Sequence, residues 1–214
     1  MTDDAVAVDM TAGVEYTGAE EIRAWVEDDP EFAVLDVMTC GDEAVAARGW
    51  AAYGYAMSSS ADPGGTEGVG VVHLDEDGNI DQFLVYYTGV EGDPSTPDVL
   101  PEADVAVVDE YRRSYRDRDE DAFIASVSDD FVRYVGPPGL SAPAFPGLEG
   151  YRTWAAETEN QNLTVDMGEL AIGNGPWIAH ADVWFDADGE ALIGGICLVE
   201  VVEGKANRHY LHYS

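Results

Sequence analysis

His180 and Asp182 stand two residues apart in the stretch WIAHADVWF (177–185), a spacing that puts both side chains and Trp184 on one face of a strand. Trp177, Ala179, Ala181, Val183 and Phe185 take the other face. An imidazole oriented by a carboxylate can take and return a proton near neutral pH, which is the chemistry of dehydratases and cyclases. The same residues would also serve as a hydrogen-bonded structural cluster. His209 and His212 lie in the last segment, HYLHY (209–213), read as a neighbouring strand. Three residues apart, they face opposite sides and cannot both line one cavity. The histidines lack an HxH or HExxH pattern and no CxxC accompanies them, so no metal and no cofactor is expected. Tyr111, Tyr115, Tyr134 and Trp154 combine an apolar ring with a polar tip, suited to a cavity wall and equally to the core beneath helices. The candidate ligand contacts are therefore Tyr115, Tyr134, Trp154, Trp184, His209 and Tyr210.

A sheet and helices must position these residues, and the chain repeats one plan twice. DDAVAVDM (3–10) returns as DDFVRYVG (129–136). TGAEEIRAWVE (17–27) matches PGLEGYRTWAAE (146–157), pairing Gly18, Glu20, Arg23 and Trp25 with Gly147, Glu149, Arg152 and Trp154. DEAVAARGWAAYG (42–54) answers GPWIAHADVWFDADG (175–189). VGVVHLDEDGNIDQFLVYYT (69–88) answers GICLVEVVEGKANRHYLHYS (195–214), each two strands about a polar turn. The expected class is α+β: two tandem units, 1–90 and 103–214, each a curved antiparallel sheet packed on helices, joined by a Pro-, Gly- and Asp-rich linker at 91–102.

Helix starts are marked chemically. Thr17 with Glu20 reads as a capping box ahead of Ile22, Trp25 and Val26, and the twin helix aligns Leu148, Tyr151 and Trp154. The second unit has an extra opening. Pro101 and Asp104 introduce a helix carrying Val105, Val108, Tyr111 and Tyr115, and Asp119 caps another carrying Phe123, Ile124 and Val127. The first unit has no counterpart to either, so an apolar face of its sheet must be buried by the second unit or by another chain. PGGTEGVG (63–70) has no Lys and reads as a loop, not a phosphate cradle.

Composition describes the solvent more than the site. The 214 residues include 43 acids against 10 basic residues, a formal charge of −33, and the acids are spread along the whole chain. Self-repulsion on that scale calls for screening, as in the concentrated salt inside halophilic archaea, where the Debye length at about 1 M is ~3 Å. An acidic surface excludes nucleic acid and anionic membranes as partners. Arg112, Arg113, Arg116 and Arg118 sit among Asp and Glu and read as an ion-paired helix face. Apolar runs such as LIGGICLVEVV (192–202) are too short to span a bilayer, and the acidic N-terminus does not read as a secretory signal, so the expected compartment is the cytoplasm. Cys40 and Cys197 read as buried reduced thiols.

The stretch VVDEYRRSYRDRDEDAFIASVSDDFVRYVGPP (107–138) has a Tyr-bearing helix, an acidic turn before a second helix, and DD leading into a strand. It resembles the opening of SnoaL-like and ketosteroid-isomerase-like domains of the nuclear transport factor 2-like, cystatin-like α+β superfamily. The likeness runs through 103–214 in order, and through 3–88 without the opening helices. It implies a sheet wrapped against helices as a cone with an apolar cavity, whose mouth would border GPPGLSAPAFPG (136–147). It also implies that Tyr111 holds an oxyanion and that Asp9 has the place of the isomerases' general base. Val135 has that place in the second unit. The isomerases' second oxyanion acid falls near Gly70 and near Ile196 or Cys197, and the cyclases' base at Val85 and Leu211, so neither unit assembles a complete family set.

Two functional expectations follow. The leading one is a small apolar molecule bound in the second cone, with isomerase, cyclase or dehydratase-type acid/base chemistry by Asp9, Tyr111, His180 and Asp182. The other is a noncatalytic structural or regulatory module with filled cones. Family members pair through their sheets, so the two units are expected to form an intrachain pseudo-dimer, open to further self-association.

Overall fold

The computed structural model describes residues 1–10, 12–27, 31–39, 49–58, 66–87, 102–136, 144–174 and 176–213. The first half has strands β1 (Val6–Asp9) and β2 (Val14–Thr17), helix α1 (Ala19–Glu27), then β3 (Glu31–Thr39), β4 (Trp50–Ser58), β5 (Thr66–Leu74) and β6 (Ile80–Tyr87). The second half opens with helices α2 (Glu102–Asp117) and α3 (Glu120–Ser126). It continues with β7 (Val127–Gly136), β8 (Ala144–Pro146), α4 (Gly147–Asn160), β9 (Thr164–Asn174), β10 (Trp177–Phe185), β11 (Ala191–Val202) and β12 (Lys205–Tyr213). Residues 91–101 of the expected linker, the loop at 137–143 and Cys40 lie outside the described residues, and Glu102, expected in the linker, begins α2. Thr66 to Gly70, read from sequence as part of a loop, begin β5, because the glycines there pair in register with β4.

The α+β class with two sheet-bearing halves is present, and both sheets have one plan. Their strand orders are β2-β1-β6-β5-β4-β3 and β8-β7-β12-β11-β10-β9. Most neighbours are antiparallel, as expected, but β1 runs parallel to β6 and β7 parallel to β12. These parallel pairs arise because each half's first strand returns to lie beside its last, with the whole unit as the connection.

Local chemistry explains the helix boundaries. Asp119 caps α3, accepting from Ala122 N at 3.0 Å. At α1 the carboxylate reaching back to Thr17 N is Glu21, at 2.8 Å, rather than the expected Glu20. Gly18, at φ 88°, makes the left-handed bend that sets this spacing. On α2, Val108, Tyr111 and Tyr115 turn inward and are buried, while on α3 Phe123 is buried and Ile124, expected inside, is exposed. Arg113 pairs with Glu110 and Arg116 with Asp117, as an ion-paired face requires, but Arg112 is buried beside Asp109. No helix among the described residues is long and apolar enough to cross a membrane.

The two sheets pack on one another. Val8, Trp50, Ala52, Val69, Val71, Leu84 and Tyr86 from the first meet Trp177, Ala179, Ala181, Ile196, Leu198 and Tyr210 from the second in one core. Tyr86 OH and His212 Nε2 lie 2.7 Å apart across this interface. The face of the first sheet covered by the second half is the one opposite α1, not the face that the absent helices would cover. Its other face holds Ala5, Ala7 and Ile22 under α1, with Tyr16, Trp25 and Phe83 half-buried around them. A second core, beneath α2, α3 and α4, fills the opposite face of the second sheet with Tyr111, Tyr115, Phe123, Phe131, Tyr151, Trp154 and Trp184.

Close strand approach makes one glycine irreplaceable. A Cβ at Gly195 would stand 1.9 Å from the carbonyl oxygen of His212, a backbone atom of the paired strand that cannot step aside. Gly195→Ala is expected to cost about 1–3 kcal/mol or more by forcing β11 and β12 apart. Chemical denaturation in molar salt measures it, and an unchanged midpoint would contradict this packing.

Candidate functional site

Strand alternation sorts the predicted residues between the two faces of the second sheet. Ile178, His180, Asp182 and Trp184 of β10 point toward the helices, as do Cys197 of β11, His209 of β12 and Arg133 of β7. Cross-strand register gathers them: His180 pairs with Cys197, and His209 pairs with both Val199 and Arg133. Tyr111 reaches down from α2. The interior of this cone is therefore strongly polar at one level, where an apolar cavity was expected.

Two hydrogen-bonded units face each other there. His180 Nδ1 lies 2.9 Å from Asp182 Oδ1, and the Cys197 thiol donates to Asp182 Oδ2 at 3.2 Å. His209 Nδ1 lies 2.5 Å from Tyr111 OH. The two imidazole rings are 5.8 Å apart, and the Nε2 atom of each is buried without a hydrogen-bond partner among the described residues. Arg133 lies alongside with its guanidinium carbon 4.1 Å from the Tyr115 ring centre and 4.3 Å from that of Trp154. Trp184 Nε1 donates to Tyr213 OH at 2.7 Å and borders the group.

Environment sets the protonation states. Burial lowers the His180 pKa, and Asp182 only partly opposes this, so the ring is neutral at pH 7. Burial alone would raise Asp182, but His180 and Arg112 outweigh it and keep the carboxyl below its ordinary value, hence ionised. An ionised Asp182 requires a hydrogen on His180 Nδ1, which leaves Nε2 with an open lone pair. His209 is driven well below its usual value by burial and then by Arg133. Tyr111 is pushed well above the phenol range by burial and Tyr115, and so remains a neutral donor. With Tyr111 donating to Nδ1, the hydrogen of His209 sits on Nε2. One histidine then offers an acceptor and the other a donor.

A cation is the competing occupant. One ring nitrogen of His180, one of His209 and the Cys197 Sγ all lie within 4.8 Å of one another. Those are zinc-type ligands, but the electrostatics oppose a dication. Arg112 and Arg133 both act on this group, and burial with Asp182 holds the thiol well above its ordinary pKa, far from the thiolate a metal needs. The arrangement suits proton transfer better than metal binding.

Several sequence assignments change. Tyr134 and Tyr210 do not reach this interior. Each is one residue along from an inward side chain, Arg133 or His209, so the pleat turns them to the interface between sheets, where they stack at 4.7 Å. His212 faces the same interface, opposite to His209 as the odd spacing required. Asp9 lies in the first sheet and accepts from Ala12 N at 2.7 Å in the turn between β1 and β2, and it does not join Tyr111, His180 and Asp182. Tyr115 and Trp154 are buried in contact with each other, 4.6 Å between centroids, so they line the interior as packed wall. Sequence reading missed Arg133 and Cys197 as members of the group. The available signal for Arg133 was a charged residue on the same strand face as Phe131 in FVRYVG (131–136), an inward position by alternation.

The first half supplies an internal comparison. Ala7 pairs with Phe83 as Arg133 pairs with His209, and Tyr53 pairs with Gly70 as His180 pairs with Cys197. The same register positions that carry a guanidinium, two imidazoles and a thiol in one sheet carry Ala7, Phe83, Tyr53 and Gly70 in the other. A Cβ on Gly70 would come within 2.3 Å of the Tyr53 ring, and that ring stacks with Phe83 at 6.3 Å. The fold is evidently satisfied by apolar residues at these positions.

No family model and no curated protein matches the sequence. Among solved structures the chain is similar to an NTF2-like protein of unknown function from Mesorhizobium loti, with TM-score 0.47 and 16% identity over 56% of this chain and 97% of that one. It is also similar to a cystatin-like-fold protein of unknown function from Methylobium petroleophilum, with TM-score 0.46 and 21% identity over 55% and 80%. A candidate ketosteroid isomerase from Kribbella flavida gives TM-score 0.45 and 20% identity over 53% and 78%. Each likeness spans about half of this chain, and at such identities a shared reaction does not follow.

Proposed function

We propose that this is a tandem SnoaL-like protein of units 1–90 and 103–214, in which the second unit holds a small molecule and moves a proton to or from it. The supporting observation is the contrast between the two sheets at equivalent register positions. Burying ionisable groups costs stability unless they are well paired, and apolar residues occupy the same places in the first sheet, so packing does not demand them. Their concentration on one inward face is what proton-transfer sites require.

In this reading His180 Nε2 is the base, with Asp182 fixing the ring's tautomer and stabilising the imidazolium once it forms. A proton leaves a carbon beside a carbonyl for Nε2, and the electron pair of that bond moves to the carbonyl oxygen as an enolate. The hydrogen on His209 Nε2, set by Tyr111, meets the developing oxyanion. Return of the proton to another carbon completes an isomerisation or cyclisation-type step. The first unit, with Tyr53 lying over Gly70, is the noncatalytic partner whose cone is filled by its own side chains.

The test is deuterium exchange from solvent into enolisable carbonyl compounds, followed by NMR. At least one compound is expected to exchange faster with the protein than without it. His180→Asn retains a donor for Asp182 but has no second ring nitrogen, and exchange should fall by about 10²–10⁴-fold. Equal exchange by the variant would remove His180 from the mechanism.

A further inference from the structure

Two buried guanidiniums act on this interior, and while Arg112 lies beside Asp109 and lowers the pKa of Asp182, Arg133 has no such carboxylate. Arg133 is 2% exposed. No carboxylate lies within ion-pairing distance of it among the described residues, and its Nε and Nη1 atoms are buried without a hydrogen-bond acceptor. Asp182, the ionised acid of the group, is already engaged by His180 and Cys197. The flanking rings of Tyr115 and Trp154 compensate part of the charge through their π faces. Ring contacts return much less than the desolvation of a guanidinium costs. Ala7 stands at the equivalent register position of the first sheet, so this charge is not a requirement of the fold.

We infer that the ligand of the second cone carries a carboxylate, and that Arg133 is its counter-charge. The inference rests on the reading of this interior as a ligand site. A planar guanidinium matches a carboxylate in shape and in hydrogen-bond direction better than it matches any neutral acceptor. The charge balance selects a monoanion. One unpaired cation meets one negative charge, whereas a phosphate dianion would add repulsion from Asp182. The Nε2 atoms of His180 and His209, on rings 5.8 Å apart, then address the carbon skeleton next to the carboxylate, and the rings of Tyr115, Trp154 and Trp184 surround its apolar part.

Calorimetric titration of the full chain with hexanoate and hexanamide, at one fixed concentration of potassium chloride, tests this with matched probes. Hexanoate is expected to bind at least tenfold more tightly than hexanamide and to shift the His180 ring resonances. Arg133→Met should lose hexanoate binding by a hundredfold or more, while its melting temperature in the absence of ligand stays level or rises, since a buried unpaired charge has been removed. Arg133→Lys should keep part of the affinity. Equal binding of the amide with a shift at His180 would overturn the carboxylate and leave the proton-transfer reading standing. Absence of any shift at His180 with either probe would count against both. A lower melting temperature for Arg133→Met would show the guanidinium to be a core element and overturn the inference by itself.

Discussion

Acidification from pH 7.5 to 5 in concentrated salt is expected to destabilise this protein steeply, beginning near pH 6.5 and well before carboxylates titrate. His212 is buried between the sheets against Trp50, Tyr86 and Tyr210, and burial lowers its pKa to about 3. In the unfolded chain an ordinary histidine titrates near 6.5. The folded value lies below the unfolded one, so between about 6.5 and 3 the unfolded state binds the extra proton. Stability from this group is therefore whole above pH 6.5 and is lost as pH falls toward 3, at roughly 1.4 kcal/mol per pH unit. His180 and His209 are lowered by burial in the same direction and add to the slope. By pH 5 His212 alone can contribute about 2 kcal/mol of loss, which is large against a typical folding stability of about 5–15 kcal/mol. Relief of acid repulsion acts the other way, but it begins nearer pH 4 and is screened in high salt. Thermal melts across this range in 2–3 M potassium chloride provide the measurement, with the salt kept within roughly that window to suppress repulsion. His212→Gln keeps an acceptor for Tyr86 and should flatten the slope by one histidine's share. A melting temperature constant from pH 6.5 to 5 would mean that these rings are accessible to water.

Dialysis into low salt should abolish the folded state altogether. The chain carries −33 charges with 43 acids against 10 basic residues. The ion pairs on α2 and between Arg152 and Glu120 are local and exposed, and cannot offset repulsion summed over the whole surface. At 10 mM salt the Debye length of about 30 Å lets carboxylates across the molecule repel one another, whereas at 1 M it is about 3 Å. Near-ultraviolet circular dichroism is expected to collapse at 10 mM potassium chloride and to return on restoring molar salt. Identical melting at both salt concentrations would refute adaptation to a saline interior.

Much of the architecture was written locally. The motif at 17–27 carries its own cap, both it and 146–157 carry apolar spacing, and the period-two alternation of 177–185 assigns His180 and Asp182 to the face opposite Trp177. Such signals survive in one dimension because a helix or strand repeats its own geometry. The same alternation separated His209 from His212. It also separates Tyr134 from Arg133 along β7, and Tyr210 from His209 along β12.

Tertiary structure decided which distant residues share a site. Arg133, Cys197 and His209 belong to three different strands, and only the parallel pairing of β7 with β12 and the antiparallel register of β11 place them beside His180. Asp9, given a base's place by family likeness, ends β1 in the first sheet, where its carboxylate accepts from Ala12 N, away from His180 and Asp182. Register depends on pairing energies summed along whole strands, and a sequence displays the strands without displaying that sum. By itself the chain determined its class, its repeated plan, its charge and the strand face that His180 and Asp182 share. The buried guanidinium of Arg133 exists only once two sheets and three helices have shut water out.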